Sequence, residues 1–264
     1  CHKGRHRTRE DPGEQMTDSL VSLCVTSHDR GRSLSACIES FCSATTLSIS
    51  DVELIIVDNA SDGLTRAVVE GYTYDKRFRR VITIMNDVND YPVCVRRAKN
   101  QALDVSLGSI IIDCPDDHLF VVRGGWLEDA MSLIMREGDV GCVCYYAQPA
   151  YRWAKPNNAS DPCKDPRYRI SRLKGYADYN IASRSVRMAL GSFIESFGHS
   201  SEGEYMNRAL KAGYRRYMPV YPVAVINNGY GLITPIIDVM GLFGMRNVPV
   251  SNEEMVNTLL GTGH

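Results

Sequence analysis

From about residue 18 onward, short apolar runs alternate with segments whose apolar residues recur every three or four positions. Leu20 to Thr26, Val52 to Val57, Val81 to Met85 and Ser109 to Cys114 read as strands. Ser33 to Cys42 and Leu64 to Gly71 have helical spacing, and Gly125 to Met135 is a further helix. Pro92 stands where a first helical turn tolerates it, because the missing N–H has no partner there in any case. It opens a helix running to about Val105. Beyond these, Val140 to Tyr146 and Tyr179 to Ser183 add strands and Val186 to Leu190 a short helix. Ser200 to Ala212 forms a helix stopped by Gly213, and Asp238 to Met245 and Asn252 to Leu260 look helical. Repeated strand–helix units of this length predict an α/β fold with a mostly parallel sheet and helices on both faces.

In such sheets ligands bind outside the carboxyl ends of the strands. Three polar loops follow strands: Ser27-His28-Asp29-Arg30, Asp58-Asn59-Ala60-Ser61-Asp62 and Pro115-Asp116-Asp117. The last carries two adjacent carboxylates, which repel each other unless a cation is shared between them. Mg2+ and Mn2+ are held this way, by one or two carboxylates plus the phosphates of a substrate. A metal-bridged nucleotide is therefore the first expectation. Asx residues at such places also bond their own backbone, and Asp62-Gly63 is a turn dipeptide.

Charge narrows the partners. Lys and Arg number 30 against 31 for Asp and Glu, a net charge of -1, so nothing points to nucleic acid as a partner. No apolar run has the roughly 18 to 20 residues of a membrane span. The stretch from Cys1 to Arg9 has no initiator Met and no apolar signal region. It reads as a trimmed or tagged segment, with other domains of a longer polypeptide as expected partners. The nine cysteines form no even framework, and five of them (24, 94, 114, 142 and 144) sit in apolar segments as small hydrophobes. Cys142-Val143-Cys144 reads as two thiols on one strand face, since the spacing is too short for a zinc knuckle or redox pair. Reduced cysteines fit a cytoplasmic location.

Gln148 to Lys174 breaks the pattern. It carries four prolines and seven basic residues against Asp161 and Asp165, and reads equally as a lid over a ligand or as a solvated excursion. Tyr151 and Trp153 within it are candidates to stack on a ligand, whereas Tyr145, Tyr146 and Tyr168 read as core.

Taken in order, the strand-end loops resemble the nucleotide-sugar glycosyltransferases of family 2, which have the GT-A fold; the resemblance runs from about Leu20 to Tyr214. Thr26-Ser27-His28-Asp29-Arg30 is similar to the family's Pro-Thr-Tyr-Asn-Arg element. Glu53 through Gly63 is similar to its Glu-Leu-Ile-Ile-Val-Asp-Asp/Asn-x-Ser-x-Asp-Gly element. Asn89 with Ala98-Lys99-Asn100 matches its Asn-x-Gly and Ala-Arg-Asn stretch, and Gly108 through Asp117 its Gly-to-Asp-x-Asp strand. The resemblance implies a Rossmann-like GT-A sheet plus a C-terminal acceptor-side subdomain. Residues 1–17, polar and without periodicity, read as a flexible leader and 231–264 as a helical tail; between them the resemblance implies a nucleotide-sugar-binding half (18–120) and an acceptor-side half of the same domain (121–230). It also implies a donor nucleotide site of Thr26, Ser27, Asp29, Arg30, Asp58, Asn59, Asn89, Asn100 and Asp116. Asp58 or Asn59 would meet the edge of a uracil or similar base, and Asp117 would ligate Mn2+ or Mg2+ beside the leaving diphosphate. Pro115 departs from the pattern at the first acid position; relatives with an x-Asp-Asp form retain the last acid. Asp113 is expected to be structural.

A displacement at the sugar carbon also needs a base for the acceptor hydroxyl. Gly191 to Phe197 resembles the family's Gly-x-Phe-Asp-Glu-x-Phe lead-in, and Ser201 to Arg208 its Glu-Asp-x-Asp-x-x-x-Arg run. This register makes Glu202 the base and Glu204 the second acid, with Ser201 replacing the first. Ser201 and Glu204 are also spaced as a capping box, which is reason enough for Glu204. Glu202 has no such duty, and the helix dipole favours its ionised form. His118 and His199 adjoin the acid pair and the base, where a lone His is more often packed or solvated. The resulting expectation is a metal-dependent, inverting glycosyltransferase of glycan biosynthesis. Its donor is a nucleotide-diphospho-sugar, UDP or dTDP favoured, and its acceptor a carbohydrate or other hydroxyl compound. One alternative is a catalytically inactive sugar-binding or scaffolding domain of a larger glycan-synthesis protein. A sugar-1-phosphate nucleotidyltransferase ranks lower, since that chemistry wants a Gly-rich basic loop where this chain has Thr26 to Arg30.

Overall fold

The predicted apolar runs form β1 (Val21–Ser27), β2 (Val52–Asn59), β3 (Arg80–Asn86) and β4 (Ile110–Pro115), paired in parallel in the order β3-β2-β1-β4. The computed structural model describes residues 21–120, 122–145, 160–171, 180–195, 201–219 and 223–226, with side chains except at 160, 201, 202 and 224–226. The leader, the tail helices, Tyr146, Tyr151, Trp153 and His199 lie outside the described residues.

Helices α1 (Gly31–Ala44), α2 (Gly63–Thr73) and α3 (Val93–Val105) link these strands. The chain steps outward from β1 to β3, then returns past β1 to β4. With right-handed crossovers, this reversal puts α1 and α2 on one face and α3 on the other. The alternation along each strand matches. Leu23, Val25, Leu54 and Ile56 pack with Leu34, Ile38 and Phe41 of α1, while Cys24, Ile55, Val57 and Ile111 pack with Ala98, Ala102 and Leu103 of α3. At the amino ends of the strands the fully buried Glu53 ties β2 to the loop that enters β4. It accepts from the Ser22 hydroxyl, Leu107 N–H (2.5 Å), Gly108 N–H (2.9 Å) and Arg80 Nε (2.5 Å).

The second half of the sheet is mixed. After β5 (His118–Phe120) and α4 (Trp126–Arg136), β6 (Val140–Cys144) joins the sheet through β9 (Asn180–Ser183), which runs antiparallel to both β4 and β6. The parallel expectation therefore holds for the core strands and stops at β9. Residues 160–171, expected to be part of an irregular loop, form a hairpin of β7 (Ser160–Pro162) and β8 (Tyr168–Ser171) at the sheet edge. Its turn is pinned by the buried Asp165, which accepts from Arg136 and Arg167, and Tyr168 faces the core as expected. Helices α5 (Arg184–Leu190) and α6 (Ser201–Lys211) precede β10 (Arg215–Pro219), parallel to β6; β11 (Ala224–Ile226) pairs with β5. Between β6 and β10 the register slips, Arg215 pairing Val140 but Arg216 pairing Cys142. Past this slip both thiols are buried as small hydrophobes, Cys142 with Ala182 and Met206, Cys144 with the main core. Among the described residues no helix is long and apolar enough to cross a membrane.

Candidate active site

Strand order reverses at β1, and in such sheets ligands bind outside the carboxyl ends of the strands at that point, β1 and β4. The parallel register sets Ser27 beside Asp58 and Thr26 beside Pro115, and the three polar loops leave the sheet together. They are laced to one another. Ser27 Oγ donates to Asp116 Oδ2 (2.7 Å) and Asp116 N–H to Thr26 O (3.2 Å). Asp29 N–H donates to Ser61 Oγ (2.9 Å), and Asp62 N–H to Asp29 Oδ1 (2.6 Å). Asp29 and Ala60 both adopt left-handed backbone, φ 51° and 57°, an arrangement uncommon outside glycine and held here by those cross-loop bonds.

The acid pair is unequal. Asp116 is 4% exposed, and burial, with Asp117 adding repulsion, pushes its carboxyl up to about 6 against the opposing Ser27 hydrogen bond and Arg30. Burial also acts to raise Asp117, but His118 and Arg30 outweigh it and hold that carboxyl below its ordinary value. His118 is fully buried, its Nδ1 3.0 Å from Asp117 Oδ1 and its ring edge-on to Tyr145. Arg30 Nη1 donates to Asp117 Oδ2 at 2.9 Å and lies 3.6 Å from Asp116 Oδ1. The protein's own guanidinium thus supplies part of the positive charge that two adjacent carboxylates require.

Beside the acid pair Asp58 keeps a bare oxygen. Asp58 is fully buried; its Oδ2 accepts from Ser61 N–H at 3.0 Å, whereas Oδ1 has no hydrogen-bond partner among the described residues. A buried carboxylate oxygen left bare costs desolvation energy with no return, so it marks a place for a ligand N–H or O–H.

The remaining residues of the expected donor site divide. Asn59 accepts from Asn86 Nδ2 (3.1 Å), and Asn86 and Gln101 exchange bonds at 3.0 Å, an amide ladder that no sequence signal singled out. Thr26 lines a small pocket on the α3 face with Lys99, Asp113, Arg187 and Phe193. Asp113 is structural there, as expected, with Lys99 Nζ at 3.2 Å and Arg187 at 3.8 Å. Asn89 lies beyond β3, exposed, and accepts from the Cys94 thiol (2.8 Å). Asn100 faces the loop after α5: it bonds both the N–H (2.8 Å) and the carbonyl (3.0 Å) of Phe193, and donates to Glu195 (2.7 Å). The structure therefore gathers Ser27, Asp29, Arg30, Asp58, Asp116 and Asp117, turns Thr26 and Asn59 to neighbours on the α3 side, and leaves Asn89 and Asn100 in other contacts. Glu202 stands in the first turn of α6, where its side chain lies outside the described ones; Glu204 pairs with Arg208 (2.8 Å).

No group of three or more His, Cys, Asp or Glu side chains among the described residues forms a ready metal cage. A Mn2+ or Mg2+ ion carried in with a diphosphate needs only one or two protein carboxylates, the phosphates and water completing its shell. Asp117, kept ionised and 19% exposed, with Asp116 adjacent, meets that requirement. The residues fit the ion.

The model of glycosyl transferase family 2 matches residues 22–194, a span that ends before α6 and so does not reach Glu202. No curated protein sequence matches the chain. Among solved structures, TarS 1–349 from S. aureus is similar, with 14% identity and a TM-score of 0.61 over 91% of this chain and 69% of that one. The longer S. aureus TarS structure gives 13% identity and the same TM-score over 92% of this chain, which spans 42% of its length. The mannosyltransferase PcManGT from Pyrobaculum calidifontis, solved with GDP-Man and Mn2+, gives 14% identity and a TM-score of 0.59 over 92% and 69%. At such identities the likeness shows a shared fold.

Proposed function

The chain belongs to glycosyl transferase family 2, and from that premise we propose a metal-dependent inverting transferase that moves a sugar from a nucleotide-diphospho-sugar to an acceptor hydroxyl. The observation that carries the donor half is the bare, buried Asp58 Oδ1 beside the laced acid pair at the switch point. A carboxylate oxygen accepts, and the N3–H of a uracil or thymine base donates, which supports UDP or dTDP as the carrier. TarS 1–349 has been solved with UDP and with UDP-GlcNAc, which favours uridine further. Asp116, holding Ser27, faces the ribose side, and Asp117 would hold the ion. When bound, that ion neutralises charge on the departing diphosphate. Glu202 takes the proton of the acceptor hydroxyl as its oxygen attacks the anomeric carbon. The carbon–oxygen bond to the diphosphate breaks on the opposite face, which inverts the centre. Eight cysteines among the described residues are free thiols, most of them buried, which supports a reducing compartment, the cytoplasm. A glycan under synthesis is the acceptor class we favour.

The test is turnover of a nucleotide-sugar panel with Mn2+ or Mg2+. We expect one uridine or thymidine donor to be hydrolysed or transferred, with Asp117→Ala and Glu202→Ala each lowering kcat at least about a hundredfold. If no donor turns over or binds, the chain is a sugar-binding or scaffolding domain instead. Unchanged rates in both variants would refute the assigned roles.

A further inference from the structure

Neither oxygen of Asp117 is open to an ion before any ligand arrives: Oδ1 is buried without a hydrogen bond among the described residues, and Oδ2 is held by Arg30. Oδ1 faces His118 Nδ1 at 3.0 Å and Oδ2 accepts from Arg30 Nη1 at 2.9 Å, the same nitrogen lying 3.6 Å from Asp116 Oδ1. The two neighbours differ in freedom. His118 is fully buried against Tyr145, whereas the Arg30 side chain is 54% exposed on a long flexible stem in the loop after β1. An ion ligated by Asp117 takes the oxygen that can be vacated, which is Oδ2, and the guanidinium must leave it. A divalent ion and a guanidinium also repel at this range. The displaced fork has a natural destination in a diphosphate, whose oxygens it matches in a bidentate, charge-assisted pair.

We propose that Arg30 is a latch that competes with the divalent cation for Asp117 until a nucleotide diphosphate draws the guanidinium away. Cation and donor therefore enter as a unit, and the free ion binds poorly alone. The proposal rests on Asp117 as the ion's ligand and adds that Arg30 opposes the bare ion while favouring the ion with its diphosphate.

The test is Mn2+ binding followed by electron paramagnetic resonance, without and with UDP, on the unmodified chain, Arg30→Gln and Asp117→Asn. Arg30 is exposed, and a thermal melt of Arg30→Gln checks that the fold is intact. Arg30→Gln is expected to bind Mn2+ alone roughly two- to fivefold more tightly, the scale of one exposed ion pair. In saturating Mn2+ it should bind UDP about tenfold more weakly, having lost a charged phosphate contact. That opposite pair of signs is the signature of a latch; an arginine serving only the phosphates changes the second figure alone. Equal or weaker Mn2+ binding by Arg30→Gln, with Mn2+–UDP binding still abolished by Asp117→Asn, overturns the latch and leaves the metal reading standing. Mn2+–UDP binding indifferent to Asp117→Asn overturns both.

Discussion

Replacing Glu53 by Gln tests whether one buried carboxylate sets the geometry of the amino-end loop feeding β4. The carboxylate is fully buried and takes four donors: the Ser22 hydroxyl, two backbone N–H groups of Leu107 and Gly108, and Arg80 Nε. Gln keeps the volume and one acceptor oxygen but turns an NH2 toward a donor and removes the charge. Breaking one side of a buried ion pair costs about 3–5 kcal/mol. Arg80 is 35% exposed and rehydrates, so the lower end, about 3 kcal/mol, applies. For a chain of this size that lowers the melting temperature by about 6–12 °C. Burial acts to raise the Glu53 carboxyl, but the hydrogen bonds from Ser22, Leu107, Gly108 and Arg80 hold it below the ordinary 4.5. A group depressed in the fold stabilises fully above its unfolded value and loses that contribution as pH falls through the folded one. Urea unfolding followed by tryptophan fluorescence, which includes the buried Trp126, should show the full difference at pH 7 and a shrinking one below about pH 4.5. A difference under about 1 kcal/mol at pH 7, or one that grows in acid, would refute the reasoning.

Asn100→Leu strips the partners from both backbone groups of Phe193. It should cost about 1–3 kcal/mol by chemical denaturation while leaving the UDP dissociation constant unchanged within about twofold. A large loss of UDP affinity at full folding would instead return Asn100 to the donor site. Gly141→Ala puts a Cβ 2.9 Å from Tyr214 Cβ and 3.2 Å from the Arg215 carbonyl at the β6–β10 slip; thermal melts should register a loss of about 1–3 kcal/mol. Gly63→Ala, at the first residue of α2 with nothing within 4 Å of the new Cβ, should be neutral or stabilising by up to about 1 kcal/mol in the same assay.

The legible parts of the fold were those written locally. The runs at β1, β2, β3 and β4 and the helical spacings between them appear within a residue or few of their expected bounds; for β1, β2 and β4 burial on both faces demands continuous apolar sequence, and the half-buried edge strand β3 keeps enough of it. The short strands β5, β7, β8, β10 and β11 carry little such signal. Ser160-Asp161-Pro162 is a strand because β8 offers it an edge, and Pro92, expected inside the first turn, caps α3 with the helix beginning at Val93. Within the site, Ser27, Asp29, Arg30, Asp58, Asp116 and Asp117 were named from their positions after strands. Asn89 and Asn100 were named from motif resemblance, which cannot tell whether an amide faces a ligand or its own backbone.

What the sequence determined by itself was the alternation of strand and helix, the three polar strand-end loops, the adjacent acids and the family. Each follows from the order of residue types along the chain. Tertiary structure alone decided how those acids are shared out. His118 and Arg30 reach Asp117 from β5 and the β1 loop, Ser27 takes Asp116, and Asp58 keeps one oxygen bare. Ionisation and ligand affinity depend on distance and burial, and the residues that set them for Asp117 include one that stands 87 positions away in the chain.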